Sequence, residues 1–435
     1  MACLFLPAFF SLGAQDADFS EWDIDSLFDE PVLISPAPPS IPPAPPSEVD
    51  EPPPTEDGDA RGIDGAEIAD AGILSSVLRQ RGFTLNASYS FFGGIFPGWE
   101  KTPWHGYGAF SSPLGGKISA GLGLDVQISE TLRAKSSFEY SLPDSFSLKE
   151  FFFDYNLRNT VFIRAGKYET AWGISPNFQF ANLLSRVPDK NAGGDAIMVK
   201  ADIPIGIGGL QLLALTRSGF LKSGGKAPGL DEIGFGGKYN MAFPWADIDM
   251  GLYFYDPMPL RGFVSVTTTL GNTAIYAEGM ASIEHKTMDD LHLSATLGFL
   301  QSFFSGKLRI NGEVFFNGES DSWLFRPPAN LQDAVVSPLI KDINTALNVS
   351  YKPGGFMNLR FFTQLLCAFG ENTTQLVPGF TFDPLPHTSV YFAVPMALGR
   401  ADGTYYTHNA DVNNRPFSIV LLVSISGDYS WGVYK

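Results

Sequence analysis

The chain of 435 residues has only two cysteines, Cys3 and Cys367. One falls in an apolar N-terminal stretch and the other in a strand-like segment, so they support neither a disulfide framework nor a thiolate metal cluster. Past the N-terminus there is no run of about 18 apolar residues, and mean hydropathy is only +0.03, which excludes a bundle of membrane helices. Basic charge is also scarce, with 29 Lys and Arg against 46 Asp and Glu, and no basic surface suited to a nucleic-acid backbone is present. The five histidines, His105, His285, His292, His387 and His408, are scattered. No His-Glu-x-x-His, Gly-x-Ser-x-Gly or phosphate-cradling Gly-Lys-Ser/Thr pattern occurs, so no catalytic residue, metal or cofactor is expected, and the chain does not read as an enzyme. What is abundant is Phe (37), Tyr (15) and Gly (45). Aromatic-rich, Gly-rich and Cys-poor is the composition of membrane β-barrels, whose aromatic side chains gather at the two interfaces.

The net charge of −17 is unevenly spread. Residues 1–82 hold 16 acidic and 3 basic side chains, leaving 30 and 26 for the rest. Residues 1–14 read as an export signal, with an apolar core ending in small residues. Residues 15–58 read as a disordered acidic leader: 11 of residues 31–54 are Pro, and such a tract cannot bury a core. Its patch Trp22-Asp23-Ile24-Asp25-Ser26-Leu27-Phe28 mixes acidic and aromatic residues; composition favours a plain solvated tail, and docking on a periplasmic partner is the alternative. Residues 59–82 carry Ile63, Ile68, Ile73, Leu74, Val77 and Leu78 at loose helical spacing, a short amphipathic helix or linker.

From Phe83 the period becomes two. In 117–128, Ile118, Ala120, Leu122, Leu124, Val126 and Ile128 share one face, while Lys117, Ser119, Gly121, Gly123, Asp125 and Gln127 share the other. Successive strand side chains point to opposite sides, so each segment has one apolar and one polar face. The pattern returns at 132–140, 291–301 and 307–316. Strands are expected near 83–92, 117–128, 131–141, 147–157, 160–168, 196–203, 209–217, 232–243, 246–255, 260–270, 272–280, 291–301, 307–316, 343–352, 356–366, 375–383, 388–398 and 417–433. Many run to 10–12 residues, suited to a tilted membrane strand. The count is 18; Pro378 would need a bulge in its strand, and losing that strand with its neighbour would leave 16. Connections alternate short and long, which places the short turns and both ends of residues 83–435 on the periplasmic side.

Residues 417–433 put Phe, Ile, Leu, Val, Tyr and Trp on one parity. This resembles the terminal strand by which barrel proteins are presented to the assembly machinery. The run Phe162-Ile163-Arg164-Ala165-Gly166-Lys167, followed by Ala171-Trp172-Gly173 and the Asn177–Asn182 stretch, is similar to a strand-and-loop signature of several barrel families. Over roughly residues 83–435 the chain therefore resembles the bacterial outer-membrane porins, and its acidic Pro-rich leader is similar to the spirochaete type. The resemblance implies an outer-membrane channel for passive diffusion of small polar solutes or ions, embedded in lipid, with the leader in the periplasm. Parity assigns Lys117, Asp125, Arg133, Lys135, Glu139, Glu150, Asp154, Arg164, Lys307, Arg309, Glu313 and Arg360 to the pore lining, where charge sets ion selectivity. Loop 169–195, with Trp172, Arg186, Asp189 and Lys190, is the candidate constriction. Inward-pointing Phe92, Phe152, Phe162, Leu300, Phe315, Phe362 and Leu366 admit a second reading, a carrier of hydrophobic compounds. A barrel enzyme using His285 or His292 is a third.

Overall fold

The structure is a computed structural model. It describes residues 82–433 except 104–105, 113, 130, 143–144, 169, 171, 179–195, 218–228, 230–232, 256–259, 284–290, 319–341, 355–357 and 401–415. The signal, leader and linker expected within residues 1–81 lie outside the described residues.

Twenty-two strand segments form one sheet that closes on itself. In chain order they are β1 (Phe83–Ile95), β2 (Gly98–Trp99), β3 (Phe110–Ser111), β4 (Leu114–Gln127), β5 (Leu132–Leu142), β6 (Ser145–Leu157), β7 (Val161–Lys167), β8 (Ala196–Ile205), β9 (Gly208–Arg217), β10 (Ile233–Ala242) and β11 (Asp247–Phe254). They continue as β12 (Leu260–Leu270), β13 (Thr273–Ile283), β14 (Leu291–Phe303), β15 (Leu308–Asn317), β16 (Asp342–Tyr351), β17 (Arg360–Ala368), β18 (Thr373–Leu385), β19 (Thr388–Ala393), β20 (Met396–Gly399), β21 (Phe417–Ser418) and β22 (Val420–Val433). The pairs β1/β2, β3/β4, β19/β20 and β21/β22 are each one strand with a short interruption, so 18 strands cross the barrel. All pair antiparallel with their neighbours. β1 closes the ring against β22, Phe83 opposite Val433 and Ile95 opposite Leu421.

One end of the barrel carries only short turns, from two residues (206–207, 271–272, 386–387) to eight (352–359). Gly206 and Gly271 take φ of +59° and +63° in two of them, the left-handed conformation such turns demand. The other end carries the long connections and four short ones, at 143–144, 255–259, 284–290 and 369–372.

Alternation decides what each face meets. Leu122 and Leu297, near the middle of β4 and β14, are 51% and 58% exposed on the outside, and Ile118, Leu252, Val314 and Phe361 are exposed likewise on other parts of the outer face. A water-soluble monomer does not expose an apolar band of this extent; a bilayer covers it. The inside holds both charged rows and apolar clusters. One apolar cluster gathers Phe152, Tyr168, Trp172, Phe178, Leu215 and Phe315. A second joins Phe92, Phe362, Tyr391 and Leu422, with the Phe362 and Tyr391 rings stacked 5.4 Å apart.

Three local expectations are corrected. Pro378 sits opposite Thr363 in unbroken register and needs no bulge. Its missing N–H points to the other neighbour, where Val394 and Pro395 interrupt that strand anyway, and the Val394 N–H donates to the Pro378 carbonyl at 2.9 Å. The register shift in β18 lies further on, between Phe382 and Leu385 against β19. β17 begins at Arg360, four residues later than the alternation suggested, and Lys307 falls in the turn before β15.

Candidate functional site

The charged residues assigned by parity are brought together as a stripe on β4–β8. Toward the long-loop end Glu139 receives Lys117 at 3.7 Å and Lys149 at 3.4 Å. Lys135 pairs with Glu150 at 2.8 Å. Nearer the short-turn end the Arg133 Nε donates to Asp125 at 2.7 Å, and the Arg164 guanidinium donates to both oxygens of Asp154 at 2.6 and 2.9 Å. Arg164 also lies 4.3 Å from the Phe152 ring centre and 5.4 Å from that of Tyr168, a cation held between two aromatic faces. The row continues as Lys200–Asp202 at 2.9 Å and Lys238–Asp249 at 3.0 Å. Arg309 and Glu313 stand apart on β15, Arg360 opens β17, and Lys307 lies exposed at the short-turn end.

Lys149 was missed because strict alternation would turn it to lipid. A bulge is the reason: Ser137 faces Glu150 and Phe138 faces Leu148, so Lys149 has no cross-strand partner and shares the lumen with Glu150. Adjacent Lys149-Glu150 was the available signal, since a strict strand would have exposed one charge to hydrocarbon.

The start of the long loop runs inside the barrel. Trp172 is 1% exposed and its Nε1 donates to Gln211 on β9 at 2.5 Å. Its ring lies 5.6 Å from Phe263 and 6.4 Å from Tyr253. From there the chain passes on to the neighbouring strands β13 to β16. The Ile174 and Ser175 N–H groups donate to the Glu278 carboxylate on β13 at 2.6 and 3.2 Å. Glu313 on β15 accepts from Ser175 Oγ, from Asn177 N and Nδ2 at 3.2 and 2.9 Å, and from Phe178 N at 3.4 Å. Tyr276 OH and Thr296 Oγ1 complete its shell at 3.1 and 3.2 Å. The Asn348 side chain on β16 donates to Asn177 Oδ1 at 2.6 Å, and Phe178 stacks on Phe315 at 5.0 Å. β7 and β15 are eight strands apart in a ring of 18, so the chain that leaves β7 crosses the lumen by Phe178, with Trp172 packed on β9, β11 and β12 along the way. Arg186, Asp189 and Lys190 lie outside the described residues. Ser175, Gln211, Tyr276 and Asn348 were not singled out from the sequence, because uncharged residues carry no parity signal of their own.

A closed barrel with an apolar outside, a charged inner wall and a chain segment folded across its interior is a membrane-spanning barrel. No family model and no curated protein matches the sequence. Solved structures do resemble it in fold. Pseudomonas aeruginosa OccK3 (OpdO) superposes with a TM-score of 0.50 at 11% identity, over 85% of this chain and 100% of its own. P. aeruginosa OccK5 (OpdH) gives 0.51 at 11% identity over 82% and 99%. Acinetobacter baumannii OccAB4 gives 0.51 at 10% identity over 81% and 100%. At such identities the likeness concerns the barrel fold.

Proposed function

We propose that this chain is a porin-like channel of a bacterial outer membrane that passes small polar solutes or ions by passive diffusion. The observation that carries the reading is the continuous charged stripe on β4–β7, running from the Lys117–Glu139–Lys149 group near one end to Arg133 and Asp154 near the other. Eighteen strands give an interior wide enough for water, and charged side chains held along one wall keep a polar path open beside the apolar clusters. In this reading Lys117, Asp125, Arg133, Lys135, Glu139, Glu150, Asp154 and Arg164 line the path. Segment 172–178, with the rest of loop 169–195, narrows it. The short-turn end faces the periplasm, where residues 15–58 form the acidic leader. β22 is the strand presented to the assembly machinery.

The test is charge reversal in the stripe. Arg133→Glu with Lys135→Glu removes two cations and adds two anions next to Asp125 and Glu150, with which the native side chains pair. Reversal potentials in a salt gradient are expected to shift severalfold in permeability ratio toward cations. Folding should change little, because exchange of half-exposed ion pairs contributes on the order of 1 kcal/mol or less. Unchanged selectivity would remove these residues from the conduction path.

The apolar clusters favour a second reading, a carrier for hydrophobic compounds. In the structure Phe178 fills the space against Phe315, and Trp172 that against Phe263, so such a cargo would have to displace the inner segment. Binding of a fluorescent fatty acid that competes with Trp172 contacts would favour it over the channel.

A further inference from the structure

Glu278 and Glu313 differ from the other lumenal carboxylates described above. Asp125, Glu139, Glu150, Asp154, Asp202 and Asp249 each have a Lys or Arg partner. Glu278 and Glu313 are both 3% exposed, and among the described residues no Lys or Arg pairs with either. Ser175 bridges them, its N–H on Glu278 and its hydroxyl on Glu313. A buried carboxylate is tolerable only when its charge is met by a cation or by hydrogen-bond donors. Here donors alone meet it, and the inner segment supplies most of them: four backbone N–H groups, the Ser175 hydroxyl and the Asn177 amide.

The position of segment 172–178 and the ionisation of these two side chains are thus coupled. An ionised carboxylate only accepts, and charge-assisted bonds to it are roughly twice as strong as neutral ones. A protonated one has lost that strength and presents a donor where backbone N–H groups already point.

We propose that Glu278 and Glu313 are positioning residues that latch segment 172–178 across the lumen while ionised and release it on protonation, making the channel's constriction acid-sensitive. This rests on the channel reading above. The groups facing the latch on each packed element are few. Ser265 on β12 and Thr296 on β14 flank Glu278, and Asp249 on β11 stands opposite Ser265 with Lys238 of β10 bound to it. Tyr276 on β13 and Thr296 on β14 donate to Glu313, Tyr276 also reaches Asn311 on β15, and Asn348 on β16 meets the segment itself. On the segment, Trp172, Ile174, Ser175, Asn177 and Phe178 carry no ionisable side chain.

Single-channel recording of the full chain in planar bilayers, at about pH 9 and about pH 4, on either side of the range in which a buried carboxylate ionises, tests the latch. The comparison protein carries Glu278→Gln and Glu313→Gln, which keep size and one acceptor oxygen but no charge. The native open-channel current is expected to be steady at the alkaline pH and to fluctuate between sublevels in acid. The double variant is expected to fluctuate at both, its record no longer changing with pH. A variant as steady as the native protein at the alkaline pH would overturn the latch. So would a native current equally steady at both pH values, a result that stands even if the double variant fails to assemble. A steady current refutes only the latch, whereas a protein that never conducts overturns the channel reading as well.

Discussion

Proteins carrying Leu122→Arg or Leu297→Arg are expected to lose about 2–4 kcal/mol of insertion free energy per arginine, the depth-dependent penalty for a cation on the lipid face near mid-membrane. Both leucines sit near the centre of long strands, β4 and β14, and both are more than half exposed on the outside of the ring. A guanidinium there has hydrocarbon around it and no partner. The matched control is Ser119→Arg, on the same strand but facing the lumen, where Ser90 Oγ lies 2.6 Å from its hydroxyl. Urea titrations of the proteins folded into lipid vesicles should show the two lipid-face variants shifted far below the native midpoint and the lumenal one close to it. If lumenal and lipid-face arginines cost the same, the alternation does not describe an inside and an outside.

Trp172→Ala is expected to cost about 3–5 kcal/mol, the range for truncating a large buried aromatic side chain. Trp172 is closed in by Tyr253 and Phe263, and a Cβ added at Gly236 would come within 2.7 Å of its ring. The indole N–H also leaves Gln211, which keeps its bond to Asp202 at 2.8 Å. The same substitution should raise single-channel conductance, because the ring anchors the segment that crosses the lumen. Urea midpoints report the first effect and current amplitude the second. A variant with native stability would mean that Trp172 packs loosely, contrary to its near-complete burial.

Most of the barrel is legible in the sequence, because a period of two over ten residues is a long signal with few competing explanations. Eighteen strands fall where alternation puts them, mostly with ends within a few residues. The misses have separate local causes. Lys149 enters the lumen through a one-residue bulge, which reverses parity locally. Pro378 needs no bulge, because the missing donor points to an interruption made by another proline, Pro395. β17 starts at Arg360 because the turn before it is longer than its Gly and Pro content implied. The inner site is less legible. Trp172 could be marked from the Trp172-Gly173 motif that opens a long loop, but the course of the segment it begins depends on Glu278 and Glu313, more than 100 residues away in sequence. Nothing local in either strand distinguishes those two glutamates from any other inward-facing carboxylate. Only the closed ring brings them within reach of the chain that leaves β7.

The central claim is that this barrel conducts. Full-length protein, folded and added to a planar lipid bilayer at a constant voltage, should give discrete, uniform upward steps in current, each the insertion of one water-filled path along the β4–β7 wall. A bilayer that stays silent while the same preparation binds long-chain lipids would contradict the channel and leave the hydrophobic carrier in its place.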